Sequence, residues 1–157
     1  TRKESSAASD VYKRQPEYGT VEIRVCDTPL AIETAVALAG YAQTLSKYFF
    51  AQQELQPAQD TYLTYSYNRF QACRFGLNGT LIKPICGTQL SIKEDILQTF
   101  DMLQDVAQEL GTTEAIELLR QRILAGPSDA DWLRACYEKS GSLSDVVRQQ
   151  SAVWMTQ

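Results

Sequence analysis

Gly19-Thr20-Val21-Glu22-Ile23-Arg24-Val25-Cys26-Asp27-Thr28-Pro29 is the stretch from which the fold of this chain can be read. Val21, Ile23 and Val25 alternate with Glu22, Arg24 and Cys26, the two-residue period of a half-buried strand. Glu22 and Arg24 therefore share one face, roughly 6 to 7 Å apart along the strand. A carboxylate beside a guanidinium on a rigid strand suits a site that handles Mg²⁺ and phosphate together. The carboxylate oxygen is a hard ligand for Mg²⁺, and the planar guanidinium fork matches phosphate oxygens. The same spacing also fits an exposed ion pair with no chemical role.

Outward from that strand, composition narrows the function classes. The 157 residues are 44% apolar and 22% charged, enough for one domain with a core. A net charge of −4 and a pI near 4.9 exclude an electrostatic nucleic-acid footprint. No apolar run reaches the length of a membrane span: Ala35 to Phe50 is broken by Gln43, Thr44, Ser46 and Lys47. No membrane partner and a cytoplasmic location are expected, with no secretory pattern at the start. The chain has no histidine, which removes Ser-His-Asp and Cys-His triads and histidine metal sites. Chemistry by positioning and charge stabilisation remains open, phosphoryl transfer above all. Cys26, Cys73, Cys86 and Cys136 lack any short Cys-Cys spacing and read as buried or half-buried thiols.

Residues 1–15 are polar and lack apolar periodicity. Ala8-Ser9-Asp10-Val11-Tyr12-Lys13-Arg14-Gln15 resembles translated adaptor sequence, so 1–15 is expected to be a non-native or disordered leader and 16–157 the domain. Thr28-Pro29 can start a helix that runs to about Gln52, with Ile32, Val36, Ala39, Leu45 and Phe49 as its apolar positions. Gln56-Pro57-Ala58-Gln59 is a loop, and Tyr62 to Phe75 a second helix punctuated by Gly76 and Asn78-Gly79. Thr80-Leu81-Ile82 and Gln89-Leu90 could be the arms of a short hairpin. Three or four helices follow. Ser91 with Glu94, Ser128 with Asp131 and Ser142 with Asp145 have capping-box spacing, while Gly111 and Gly126-Pro127 are stops.

Tyr67-Asn68-Arg69-Phe70-Gln71-Ala72-Cys73-Arg74-Phe75-Gly76 is the second stretch that can carry chemistry. On a helix, Asn68, Gln71 and Arg74 lie on one flank, while Arg69, Ala72 and Cys73 share another. Two arginines and an Asn in an otherwise aromatic segment need partners: carboxylates or phosphates of a ligand, or structural Asp and Glu.

Tyr18 to Leu30, followed by an Ala-rich helix, resembles the late strand of the carboxylate–amine ligases, the type-two glutamate–cysteine ligases. Tyr67 to Gly76 resembles that family's Asn-Arg-containing helix, and Gly141-Ser142-Leu143 with Trp154 also fits. The resemblance runs from about Pro16 to the C-terminus. It implies an α+β fold, the C-terminal part of a glutamine-synthetase-like catalytic domain, mostly helical with one long strand and a short hairpin. It implies ATP and Mg²⁺ as cofactors, and glutamate with cysteine or another amine as substrates. Glu22 would be a Mg²⁺ ligand and Arg24 would stabilise the transferring phosphoryl. Asn68, Arg69 and Arg74 would bind substrate or nucleotide. The family's N-terminal half, which supplies other metal ligands and most of the sheet, is not in this sequence, so this segment alone is expected to be inactive. Ala31 stands where a capping Thr is expected, which weakens the helix start. An exposed strand edge would favour a homo-oligomer. Other substrates on the same fold, or a non-catalytic helical interaction domain, are the alternatives.

Overall fold

The computed structural model describes residues 12–52 and 61–155. It is mostly helical, with two antiparallel two-stranded hairpins. Strand β1 (Tyr12–Gln15) pairs with β2 (Thr20–Ile23). Helix α1 (Ile32–Ala51) and helix α2 (Thr61–Phe75) follow. A short 3₁₀ turn (Gly76–Asn78) leads into β3 (Thr80–Ile82), which pairs with β4 (Gln89–Ser91). Five helices complete the described residues: α3 (Ile92–Met102), α4 (Gln104–Leu110), α5 (Thr113–Ala125), α6 (Asp129–Ser140) and α7 (Leu143–Met155).

The core lies between α1, α3, α4 and α5. Ala37, Phe100, Ala107, Ile116 and Leu119 are buried together, and Tyr41 meets Phe100 edge to face at 5.4 Å. Desolvation in this core, with Asp95 adding to it, raises the Tyr41 hydroxyl above its usual pKa. At Gly40 an added Cβ would stand 2.9 Å from the Ala115 side chain, so glycine is what lets α1 and α5 approach so closely. The Thr44 hydroxyl, fully buried on the same face, donates to the Gly40 carbonyl at 2.8 Å and lies 2.7 Å from the Thr112 hydroxyl.

Several sequence expectations hold. Ser91 caps α3 by accepting from the Glu94 amide. Ser128 and Asp131 form the full reciprocal capping box of α6. One helix later, at the start of α7, the Asp145 N–H donates to the Ser142 hydroxyl at 3.3 Å. Ala31 precedes α1 with no side-chain cap, as its missing hydroxyl requires. The short hairpin forms as expected, and α2 begins one residue early.

Other expectations are corrected. The long strand ends at Ile23, and the small sheet it joins is completed by Tyr12–Gln15, inside the stretch 1–15 that the sequence reads as a leader. Pairing supplies the backbone bonds that an isolated strand lacks. Helix α1 starts at Ile32 rather than Thr28-Pro29, because the Leu30 amide is taken by the Asp129 carboxylate at 2.8 Å. Its buried face is also the opposite one: Thr34, Ala37 and Thr44 are buried, while Ile32, Val36 and Phe49 are exposed. Small residues let the neighbouring helices approach, and apolar residues on both sides of α1 made the periodicity ambiguous. Five helices, not three or four, follow the second hairpin, since α3 breaks at Leu103 before Gly111 ends α4 in the left-handed conformation (φ 69°). Cys136 is buried, but Cys26, Cys73 and Cys86 are exposed. The expected loop at Gln56–Gln59 lies outside the described residues.

Candidate active site

The site builds from β2 and α2. Period-two alternation puts Glu22 and Arg24 on one side of the chain, and there they meet. Arg24 Nε donates to Glu22 Oε1 at 2.9 Å and Arg24 Nη2 to Glu22 Oε2 at 3.0 Å, a two-pronged pair at the end of the strand. Gln15, from β1, donates to the same carboxylate at 3.4 Å. Both side chains keep about two-fifths of their surface in solvent (43% and 40%), so the pair itself adds little stability. Its geometric effect is larger, since the carboxylate holds the guanidinium in one orientation.

Helix α2 separates its polar residues as the sequence pattern implies. On one flank Asn68 clamps strand β3: its amide nitrogen donates to the Ile82 carbonyl at 2.8 Å, and its amide oxygen accepts from the Ile82 N–H at 2.8 Å. Gln71, one turn on, accepts from the Thr80 N–H at 3.3 Å. Tyr62, Tyr65, Arg69, Ala72 and Cys73, together with Asn68 itself, line a cleft of about 890 Å³, within the size range of small-molecule sites. Leu81, Pro84 and Ile92 form the facing apolar wall, and Arg24 with Val25 closes the cleft from the first hairpin. A smaller pocket of about 270 Å³ opens beside it and shares Arg69.

Of the five residues singled out from the sequence, Arg24, Asn68 and Arg69 are thus brought to one cleft. Glu22 reaches it through Arg24. Arg74 does not line it; its guanidinium lies 5.7 Å from the centre of the Phe75 ring. Among the described residues no group of three or more His, Cys, Asp or Glu side chains could hold a metal. Glu22, with both oxygens engaged by Arg24, does not make a Mg²⁺ site with the residues described here.

The tertiary contact that sequence reading missed is at Trp154, whose indole N–H donates to the Pro29 carbonyl at 2.7 Å. With the Asp129–Leu30 bond it ties the segment that leaves the site to the last two helices. A tryptophan near a chain's end is the only local signal, and it does not name a partner so far away in sequence.

The family model of glutamate-cysteine ligase family 2 matches residues 2–149. The chain belongs to this family. The match begins within the segment that sequence reading set apart as a leader. A ligase-family relative from Janthinobacterium sp. (strain Marseille) is 89% identical over 141 residues, covering 90% of this chain and 38% of the relative. One from Herminiimonas arsenicoxydans is 84% identical over the same shares, and one from Chromobacterium violaceum is 52% identical. All three carry the provisional name glutamate–cysteine ligase 2. The chain spans less than two-fifths of the length of these ligase relatives. Among its described residues no helix is long and apolar enough to cross a membrane.

Proposed function

We propose that this chain forms part of an ATP-dependent ligase that joins a carboxylate, glutamate's side chain, to the amine of cysteine. The observation that carries this reading is the meeting of Arg24 and Arg69 at one cleft in a member of the glutamate–cysteine ligase family. Arg69 has no ion-pair partner among the described residues, so its guanidinium is available to an anion. Arg24 is held by Glu22 and presents its charge from a fixed direction. Two guanidinium groups on a largely apolar cleft suit a phosphate chain attached to an organic body.

In such a ligase a carboxylate oxygen attacks the γ-phosphorus of ATP, and ADP leaves. The amine then attacks the acyl phosphate, phosphate departs, and the nitrogen gives up a proton. Arg24 and Arg69 stabilise negative charge as it moves between phosphoryl oxygens, the largest contribution an enzyme makes to this chemistry. Glu22 orients Arg24; as a Mg²⁺ ligand it would need further carboxylates from sequence outside this chain. That remainder would also complete a glutamine-synthetase-like sheet. Val21, Ile23 and Val25, and Tyr62 and Leu63 on α2, are large apolar side chains in solvent, consistent with a surface that more ligase sequence covers. A homo-oligomer is compatible with the same surface.

The test uses the Janthinobacterium relative with its matched segment replaced by that of this chain. Glutamate- and cysteine-dependent release of phosphate from ATP is measured with Arg24→Ala and Arg69→Ala. Loss of one charged hydrogen bond to phosphate corresponds to about 1.5–3 kcal/mol, a 10- to 150-fold fall in kcat/KM for ATP. Unchanged rates in both variants would remove the cleft from the reaction.

A further inference from the structure

We propose that Asn68 and Gln71 are positioning residues that set the width of the cleft, rather than ligands of the nucleotide. The inference rests on the cleft being the ATP site and concerns how it is held open to the right size. One helix supplies both the anion-binding side chain and the anchor of the opposite wall. Arg69 projects from α2 into the cleft, while Asn68, its neighbour, binds the backbone of β3 with two bonds of 2.8 Å. Strand β3 and the turn after it supply Leu81 and Pro84 to the facing wall.

The Asn68 amide acts here as a short piece of strand. One donor and one acceptor are matched to the N–H and carbonyl of a single residue, a pattern that fixes β3 in register as well as in distance. Gln71 adds a second tie at Thr80, and the Tyr67 hydroxyl a third, weaker one to the Thr80 hydroxyl at 3.4 Å. The approach is close because Gly79 has no side chain. A Cβ there would stand 2.9 Å from the Gln71 carbonyl oxygen and 2.9 Å from Ile92 Cδ1. β3 has three residues and, among the described residues, one strand neighbour, so these side-chain ties are a large share of what holds it.

Gln71 separates this role from direct binding, since it does not line the cleft. In the segment-replaced relative, Asn68→Ala and Gln71→Ala are compared with Arg69→Ala. KM for ATP, kcat, thermal midpoint and hydrogen exchange at the Ile82 amide are measured. Asn68→Ala is expected to raise KM for ATP about tenfold and Gln71→Ala about threefold, with kcat changed less and faster exchange at Ile82 in both. If Asn68→Ala does not fold, Gln71→Ala still decides. Faster Ile82 exchange with an unchanged KM in Gln71→Ala would overturn the proposal. An unchanged KM in Arg69→Ala, with the parent active, would instead overturn the reading of the cleft as the ATP site.

Discussion

The contact between the buried Thr44 and the half-buried Thr112 permits a prediction whose sign depends on which hydroxyl donates. Thr44 has one hydroxyl hydrogen, and the Gly40 carbonyl at 2.8 Å takes it. Thr112 must then donate across the 2.7 Å gap to Thr44. Thr44→Val removes that acceptor and leaves the Thr112 hydroxyl with only a long contact to the Ala107 carbonyl at 3.4 Å. Thr112 is only half-buried, so its poorly satisfied donor costs about 1–2 kcal/mol, less than a fully buried one would. Thr112→Val is milder, because Thr44 keeps its bond to Gly40 and Thr112 makes no side-chain cap to α5. The net loss of one such bond is about 0.5–1.5 kcal/mol. The double variant removes the stranded donor, so it should cost less than the sum of the singles by about 1 kcal/mol. Urea unfolding of the segment-replaced relative, followed by far-ultraviolet circular dichroism, would measure all three at a common slope. Equal single costs, with Thr112→Val at or above Thr44→Val, would refute the assigned donor direction. Strict additivity would refute the coupling.

Three further outcomes follow from packing and charge. Gly40→Val should destabilise the α1–α5 contact by about 1–3 kcal/mol, and Ala115→Gly should restore part of the loss, read as the shift in the same urea midpoint. Trp154→Phe keeps the ring but loses the bond to Pro29, at a cost of about 1 kcal/mol; limited proteolysis should then cut faster between Val25 and Leu30. The Ser128 hydroxyl, followed by its backbone N–H, holds the Asp131 carboxylate below its ordinary pKa of 3.8. A depressed folded-state value means that this cap is fully present above the unfolded pKa and is lost as the pH falls through the folded one. Thermal midpoints of the parent and Ser128→Ala should therefore differ at pH 7 and converge as acid is added below about pH 3.9.

Much of the local structure was determined by the sequence alone. The capping residues Ser91, Ser128 and Ser142, the stops at Gly111 and Gly126, and the alternation that pairs Glu22 with Arg24 depend on neighbours a few residues away. The two flanks of α2 were legible for the same reason, since helical spacing separates Asn68 and Gln71 from Arg69 and Cys73 whatever surrounds them. Tertiary structure decided the rest. α1 carries apolar residues on both sides, and only the close approach of α5 at Gly40 selects Thr34, Ala37 and Thr44 as the buried face. The start of α1 was moved by Asp129, and the Arg24 segment was anchored by Trp154, each about a hundred residues or more away in sequence. Asn68 shows the difference most clearly. Its flank was set by local spacing, but its partner was set by where β3 comes to rest. Short-range order follows from backbone sterics and periodicity, whereas the identity of a distant partner depends on how the elements pack.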